Sequence, residues 1–354
     1  MRTITADDVV DIADGAAILG TGGGGDPYIG RLMAQVALRE HGPVELVSLP
    51  EVPDDAQVVT VAMMGAPTVM VEKLPSAEQV GLAASALTDY LGRPLTHIAC
   101  AEAGGVNSLI PVAAAARLGL PLIDADGMGR AFPEIQMMMP TLYGITTTPL
   151  ALIDDKGNRC VMDTVDNAWA ERLARTSTIE MGCSAMLGSY AMSGTQARES
   201  LVPDTLSLCA ELGALVRAAR AAHTDPVAAV INRMSGRHLF TGKVVDVERR
   251  TVTGFARGVA RLTGIGDDLG AELVVRFQNE SLVAERGGVV IASVPDLICT
   301  VDHESGAAVT TEGLRFGQRL TVFSAPSDPR WHSEAGLALA GPRYFGYDVD
   351  PVRV

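Results

Sequence analysis

Three acids, one amide and one arginine follow each other at the ends of apolar segments in the N-terminal half of the chain. "THIACAE" (96–102) closes on Glu102 and runs into Ala103-Gly104-Gly105-Val106-Asn107. "LPLIDAD" (120–126) carries Asp124 and Asp126 and runs into Gly127-Met128-Gly129-Arg130. A third apolar segment, "VVTVAMMG", ends in Gly65-Ala66-Pro67-Thr68. Two carboxyl groups held close are driven to different pKa values, so one can act as a base and the other as an acid. An arginine beside them can grip an anionic substrate group in bidentate fashion. Glu102, Asp124 and Asp126 also form a hard oxygen set that would suit Mg²⁺ better than zinc. Each residue has a plain structural reading as well. Asp126-Gly127 can be a turn, Asn107 a helix cap, and Asp124 a cap for a helix beginning near Met128.

A fourth feature is "ILGTGGGGDPYIG" (18–30), with glycine at 22, 23, 24 and 25, then Asp26-Pro27. The two familiar phosphate loops follow a strand, whereas the segment before this run has helical spacing, with Val9, Ile12, Ala13, Ala16 and Ala17. No Gly-Lys-Ser/Thr follows, which excludes a Walker-type loop. Asp26 as N-cap and Pro27 at the first position start the next helix. Bare N–H groups at Gly22, Gly23, Gly24 and Gly25 could hold a partial negative charge, and the alternative is a tight corner that needs glycine. Cys183, in "IEMGCSAMLGSYAMSG", is a candidate nucleophile if it starts a helix, because a helix N-terminus favours the thiolate; the alternative is an inert packed thiol. The other four cysteines read as core, and no GxSxG elbow is present.

The elements that must position these residues alternate in an α/β manner. Strands are predicted at 44–49, 57–65, 96–102 and 120–126, helices at 76–91 and 107–119, and a hairpin at 149–165. In an open α/β sheet the carboxyl ends of strands form the ligand crevice, so Glu102, Asn107, Asp124, Asp126 and Arg130 are expected to share a pocket closed by the 21–26 loop. Residues 167–236 read as helical, and the character changes to strand and turn after Arg237. The predicted organisation is an α/β N-terminal domain with an open mixed or parallel sheet over 1–166, a helical connection over 167–236, and a mostly β C-terminal domain over 237–354.

The chain has 354 residues and a net charge of −14, with an isoelectric point near 4.9. That balance argues against nucleic acid or an anionic membrane surface as partner. Aromatics are only 4%, which disfavours base-stacking platforms. Met1-Arg2-Thr3-Ile4 leads into a capped helix without an apolar leader, no stretch approaches 18 apolar residues, and five scattered cysteines suit a reducing compartment, so a cytoplasmic protein is expected. The expected partner is a small-molecule substrate. A homo-oligomer is a base-rate expectation.

"GTGGGGDPYIGRL", "AEAGGVNSLIP" and "LPLIDADGMGRAFPEIQM" together resemble the S-methyl thiohydantoin desulfurase family. "RFQNESLVA", "PDLICTVDHESGAAVTTEGLRFGQRL" and "GPRYFGYD" are similar to its C-terminal domain. The resemblance runs from about residue 8 to 350 and implies two domains, an α/β part and a β-rich part. It implies hydrolysis of an S-methylated thiohydantoin propionate to hydantoin propionate and methanethiol, in S-methyl ergothioneine breakdown. Positions matching its motifs are Gly22 to Asp26, Glu102, Gly104, Gly105, Asn107, Asp124, Asp126, Gly127, Arg130, Asn279 and Glu280. In such a reaction Glu102, Asp124 and Asp126 could divide the acid and base roles, Arg130 could hold the propionate, and Cys183 could attack in a covalent variant. Water, water on a divalent metal, and Cys183 all stay open as nucleophiles. Two other readings stand beside it: a metal-dependent hydrolase of another hydantoin-like cyclic amide, and a non-catalytic small-molecule-binding regulator.

Overall fold

A computed structural model describes residues 2–65, 69 and 79–354. The loop at 66–68 and the first residues of the helix expected at 76–91 lie outside these. Two sheets organise the chain. The first contains β1 (Arg2–Ile4), β2 (Val44–Ser48), β3 (Gln57–Gly65), β4 (His97–Cys100), β5 (Leu122–Asp126), β6 (Leu150–Ile153), β7 (Arg159–Met162) and β8 (Ser184–Ser193). Their order is β1-β2-β5-β4-β3-β8-β6-β7, and the short β9 (Val202–Pro203) pairs with β5. Strands β2, β5, β4 and β3 run parallel, while β8 joins β3 antiparallel, so the sheet is mixed. β3 is apolar almost throughout and buried along its length, as a strand covered on both faces must be.

Helices α1 (Asp8–Leu19), α2 (Pro27–His41), α3 (Gln79–Leu91) and α4 (Ile110–Leu118) follow the predicted α/β alternation. α2 starts as its sequence dictates, with Asp26 accepting from the Tyr28 N–H at 2.8 Å and proline at the first position. A short helix α5 (Met139–Leu142) precedes the β6–β7 hairpin, then α6 (Asn167–Glu180) leads to β8. Here the structure corrects the expected helical reading, because 184–193 is a strand at the centre of the sheet. The segment is rich in small residues and buried nearly throughout, so neither a strand alternation nor a helical stripe shows. Gly188 lets the α3 backbone approach: a Cβ there would lie 2.8 Å from the Ala83 carbonyl. The remaining helices of the stretch are α7 (Gly194–Ser200), α8 (Thr205–Ala221) and α9 (Pro226–Arg233).

The second sheet is antiparallel, with β10 (Arg237–Val252), β11 (Phe255–Gly264), β12 (Glu272–Gln278), β13 (Glu280–Arg286), β14 (Val289–Ser293), β15 (Leu297–Asp302) and β16 (Arg319–Ala325) in the order β14-β13-β12-β11-β10-β16-β15. The C-terminal half is therefore mostly β, as predicted. After β16 the chain forms α10 (Glu334–Ala340) and a tail. The segment between β16 and α10 packs against the loop after β5: Trp331 is fully buried, stacks edge-on against Phe132 at 4.9 Å, and donates its indole N–H to the Met128 carbonyl at 2.8 Å.

One hydrophobic cluster spans the two sheets. Ile12, Ala16 and Leu19 of α1 cluster with Leu297, Cys299 and Val301 of β15 and Phe323 of β16. Hydrogen bonds sew the same seam. Ser281 N–H donates to the Thr21 carbonyl at 2.8 Å, and Thr311 N–H to the Gly22 carbonyl at 2.7 Å.

Candidate functional site

A cleft opens on this seam, at the carboxyl ends of β3 and β4. Met63, Met64 and Gly65 end one strand, and Ala101, Glu102, Val106 and Asn107 follow the other. Gly24 and Gly25 of the glycine run and Asn279-Glu280 of the second sheet complete the polar side. Met128, Phe132, Ile135, Met138 and Leu187 supply an apolar wall. A mostly apolar pocket with a few convergent polar groups is the usual form of a small-molecule site.

Glu102 enters the cleft because β4 ends one residue after Ala99 and the chain turns at once. Its Oε1 accepts from Asn107 Nδ2 at 2.6 Å, and Oε2 is buried without a hydrogen-bond partner. Asn107 is neither a free binder nor a helix cap. Its Oδ1 accepts from Met63 N–H at 2.8 Å and its Nδ2 also donates to the Met63 carbonyl, which locks the amide and aims its N–H at Glu102. Burial is the largest influence on Glu102 and pushes its pKa up, against the pull of Asn107.

Glu280 arrives from the other half of the chain. β12 reverses into β13 at Asn279, the hairpin tip, which holds a left-handed φ of 57°. Asn279 is fastened to β11: its N–H donates to the Ala256 carbonyl and its Oδ1 accepts from Ala256 N–H, both at 2.8 Å. The next residue, Glu280, is 2% exposed, and its Oε2 has no partner. Burial first, then the negative charge of Glu102, drives its pKa well above the usual carboxylate range.

The glycine run is shaped around this acid. A Cβ on Gly23 would overlap the Glu280 carboxylate, so only glycine fits between the run and the acid. Gly24 has φ of 70° and lies where a Cβ would be 2.6 Å from the Gly104 carbonyl. Its own carbonyl accepts from Val106 N–H at 2.9 Å. Gly104 and Gly105 thus form the bed on which the run lies, and Gly22 belongs to the seam. The amide N–H groups of Gly24 and Gly25 meet no acceptor among the described residues.

Other predicted residues are placed elsewhere. Arg130 is fully buried beneath the cleft, not in it. Its guanidinium donates to the carbonyls of Ala131, Pro295, Asp296 and Ser281 and to Thr21 Oγ1, so it clamps the two sheets together. Asp126 accepts from the N–H groups of Ala103, Met128 and Gly129 and fixes the loops after β4 and β5. Burial raises it to about 7 although these three donors pull it down. Asp124 accepts from Ser207 N–H and the Ser207 hydroxyl at the start of α8. Asp26 is spent on capping α2. Cys183 follows the carbonyl end of α6, with φ of 64°, so the helix-start argument for a thiolate does not apply.

The candidate metal set of Glu102, Asp124 and Asp126 is not assembled either. Asp124 and Asp126 have their oxygens committed to N–H and O–H donors, and the donor set does not fit a cation. Among the described residues no group of three or more His, Cys, Asp or Glu is placed to hold a metal.

Two charged lining residues escaped the sequence reading. Arg175 projects from α6, and Glu134 from the loop after Phe132. Glu134 accepts from the Tyr344 hydroxyl at 2.6 Å and from Gln136. The only signal for Arg175 was a charged residue on the half-exposed face of a predicted helix, which gives no hint of a cleft.

Among the described residues no helix is long and apolar enough to cross a membrane. A family model described as "S-Me-THD-like, N-terminal domain" matches residues 7–164, and its "S-Me-THD-like, C-terminal domain" counterpart matches residues 165–354. A crystal structure of a protein from Chromobacterium violaceum superposes with a TM-score of 0.83 at 24% identity, covering 99% of this chain and 100% of the other. That likeness establishes the shared fold. A search of curated proteins gives no match.

Proposed function

The chain belongs to the S-Me-THD-like family, and from that premise we propose that it is a hydrolase of a small cyclic thioimidate, an S-methyl thiohydantoin, releasing methanethiol. One observation carries the reading. Two buried carboxyl groups, one from each half of the chain, line the same cleft, and each keeps one oxygen without a partner. Native proteins satisfy most buried polar atoms, and the exceptions need a reason. Here the reason is a substrate.

The chemistry needs one base and one acid. Glu102 lies near neutrality and takes the base role; Glu280 stays protonated and takes the acid role. Water attacks the ring carbon that bears sulfur, and its proton passes to Glu102. The ring C=N electrons move to nitrogen, which takes the proton of Glu280. The resulting tetrahedral carbon bears OH, SCH₃ and N–H. It collapses as the hydroxyl proton leaves to the Glu280 carboxylate, C=O forms and the C–S bond breaks. The methanethiolate departs with the proton held by Glu102. The balance is thioimidate plus water giving ring amide plus methanethiol, and both acids return to their starting states. The N–H groups of Gly24 and Gly25 are available to hold the ring carbonyl.

The test is methanethiol release from S-methyl thiohydantoin propionate by the purified protein. Turnover is the expected result. A folded protein that releases no thiol would remove the reading.

A further inference from the structure

The cleft is lined by three acids, Glu102, Glu134 and Glu280, and by one cation among the described residues, Arg175. Glu134 already has two donors, from Tyr344 and Gln136. Arg175 is held rigidly. Its Nε donates to Glu171, its Nη2 to the Pro133 carbonyl at 3.0 Å, and its Nη1 makes a long 3.4 Å contact with the Gly254 carbonyl. Glu171 also accepts from Ile135 N–H at 2.9 Å, so one acid fixes both the arginine and the cleft wall beside it. The guanidinium rests on the Phe255 ring, 4.0 Å from its centroid.

A guanidinium has five N–H groups, and these contacts use three. One face is covered by Phe255, and Arg175 lines a mostly apolar cleft whose other charged residues, among those described, are acids. A positive charge fixed in advance, with unused donors, is suited to a planar anion. We propose that Arg175 determines specificity by gripping a free carboxylate on the substrate, so that the enzyme selects small anionic rings over neutral ones. This rests on the hydrolase reading above and assigns the anion-holding role to Arg175, since Arg130 is consumed by backbone carbonyls.

The experiment compares S-methyl thiohydantoin propionate with its carboxamide. For the wild type, kcat/KM should favour the carboxylate by roughly 100-fold, the scale of a desolvated charge pair. Arg175→Met should collapse that preference to within about threefold, chiefly through the KM of the carboxylate substrate. Arg175→Lys keeps the charge and loses the fork, and should retain a preference near 10-fold. It also serves if the methionine variant, which strands Glu171, fails to fold. A wild type indifferent to the carboxylate, or variants that keep the full preference, would overturn the proposal. If the wild type turns over neither compound, the hydrolase reading fails separately. Thermal shifts with hydantoin propionate and its carboxamide then decide the role of Arg175: stabilisation by the carboxylate alone, reduced in Arg175→Lys and lost in Arg175→Met, supports it, and equal shifts sink it.

Discussion

Asp126 and the pair Glu102–Glu280 are buried carboxyl groups within a few residues of the same seam, and the fold treats them in opposite ways. Asp126 meets three backbone N–H groups and ties two loops. Glu102 Oε1 accepts from Asn107, the Phe132 backbone N–H adds a weaker pull, and each glutamate retains an orphan oxygen. A satisfied buried acid stabilises the loops around it. An unsatisfied one costs stability and is retained where a ligand completes it. All three have pKa values raised by burial, so the shift alone does not separate a structural acid from a reactive one; the count of donors does.

The comparison breaks most readily at the glutamates. Glu102→Gln and Glu280→Gln should each lower kcat/KM by about 10³-fold while leaving the thermal midpoint near or above the wild-type value. A large loss of stability with activity intact would reverse the assignment. Gly23→Ala pushes a methyl into the Glu280 carboxylate. It should cost roughly 30-fold in kcat/KM and add little on top of Glu280→Gln, because contacting residues are not additive. Full additivity in that double-mutant cycle would show that the glycine does not act through the acid.

Asp126→Asn sharpens the other side. The amide turns an NH₂ towards N–H donors, and the variant should lose about 2 kcal/mol of stability, read by denaturant unfolding. Its folded fraction should keep activity within about tenfold. The smallest signal is in pH. Glu102 has an ordinary value of 4.5 and about 7 when folded. Between those values the folded chain binds a proton that the unfolded chain has released, so its contribution to stability is full below about 4.5 and is lost as pH rises to about 7. Glu102→Gln should flatten that slope by less than about 1.4 kcal/mol per pH unit. An unchanged slope would show that Glu102 titrates normally.

Much of the frame was legible because its signals are local. The Asp26-Pro27 helix start, the continuous apolar run of β3 and the strand ends at Glu102 and Asp126 follow from neighbours in sequence. β8 was missed because burial on both faces removes the alternation that marks a strand. Arg175 was missed because its role depends on Phe255, some eighty residues away.

By itself the sequence determined the alternation of elements, the mostly β C-terminal half, the family and the strand ends that line the cleft. It also marked Glu102 and Asn107 at a strand end, together with Asp124, Asp126 and Arg130, and the family resemblance added Asn279 and Glu280. Only the tertiary structure decided which polar residues are spent on the fold. Arg130, Asp124 and Asp126 have the same chemistry as site residues, but Arg130 and Asp124 are taken by groups brought from elsewhere in the chain, and Asp126 by Ala103 together with its own turn neighbours Met128 and Gly129. The physical reason is that a buried polar group's role is set by its partners. Those partners lie 151 to 166 positions from Arg130 in β13 and the β14–β15 turn, and 83 positions from Asp124 at the start of α8.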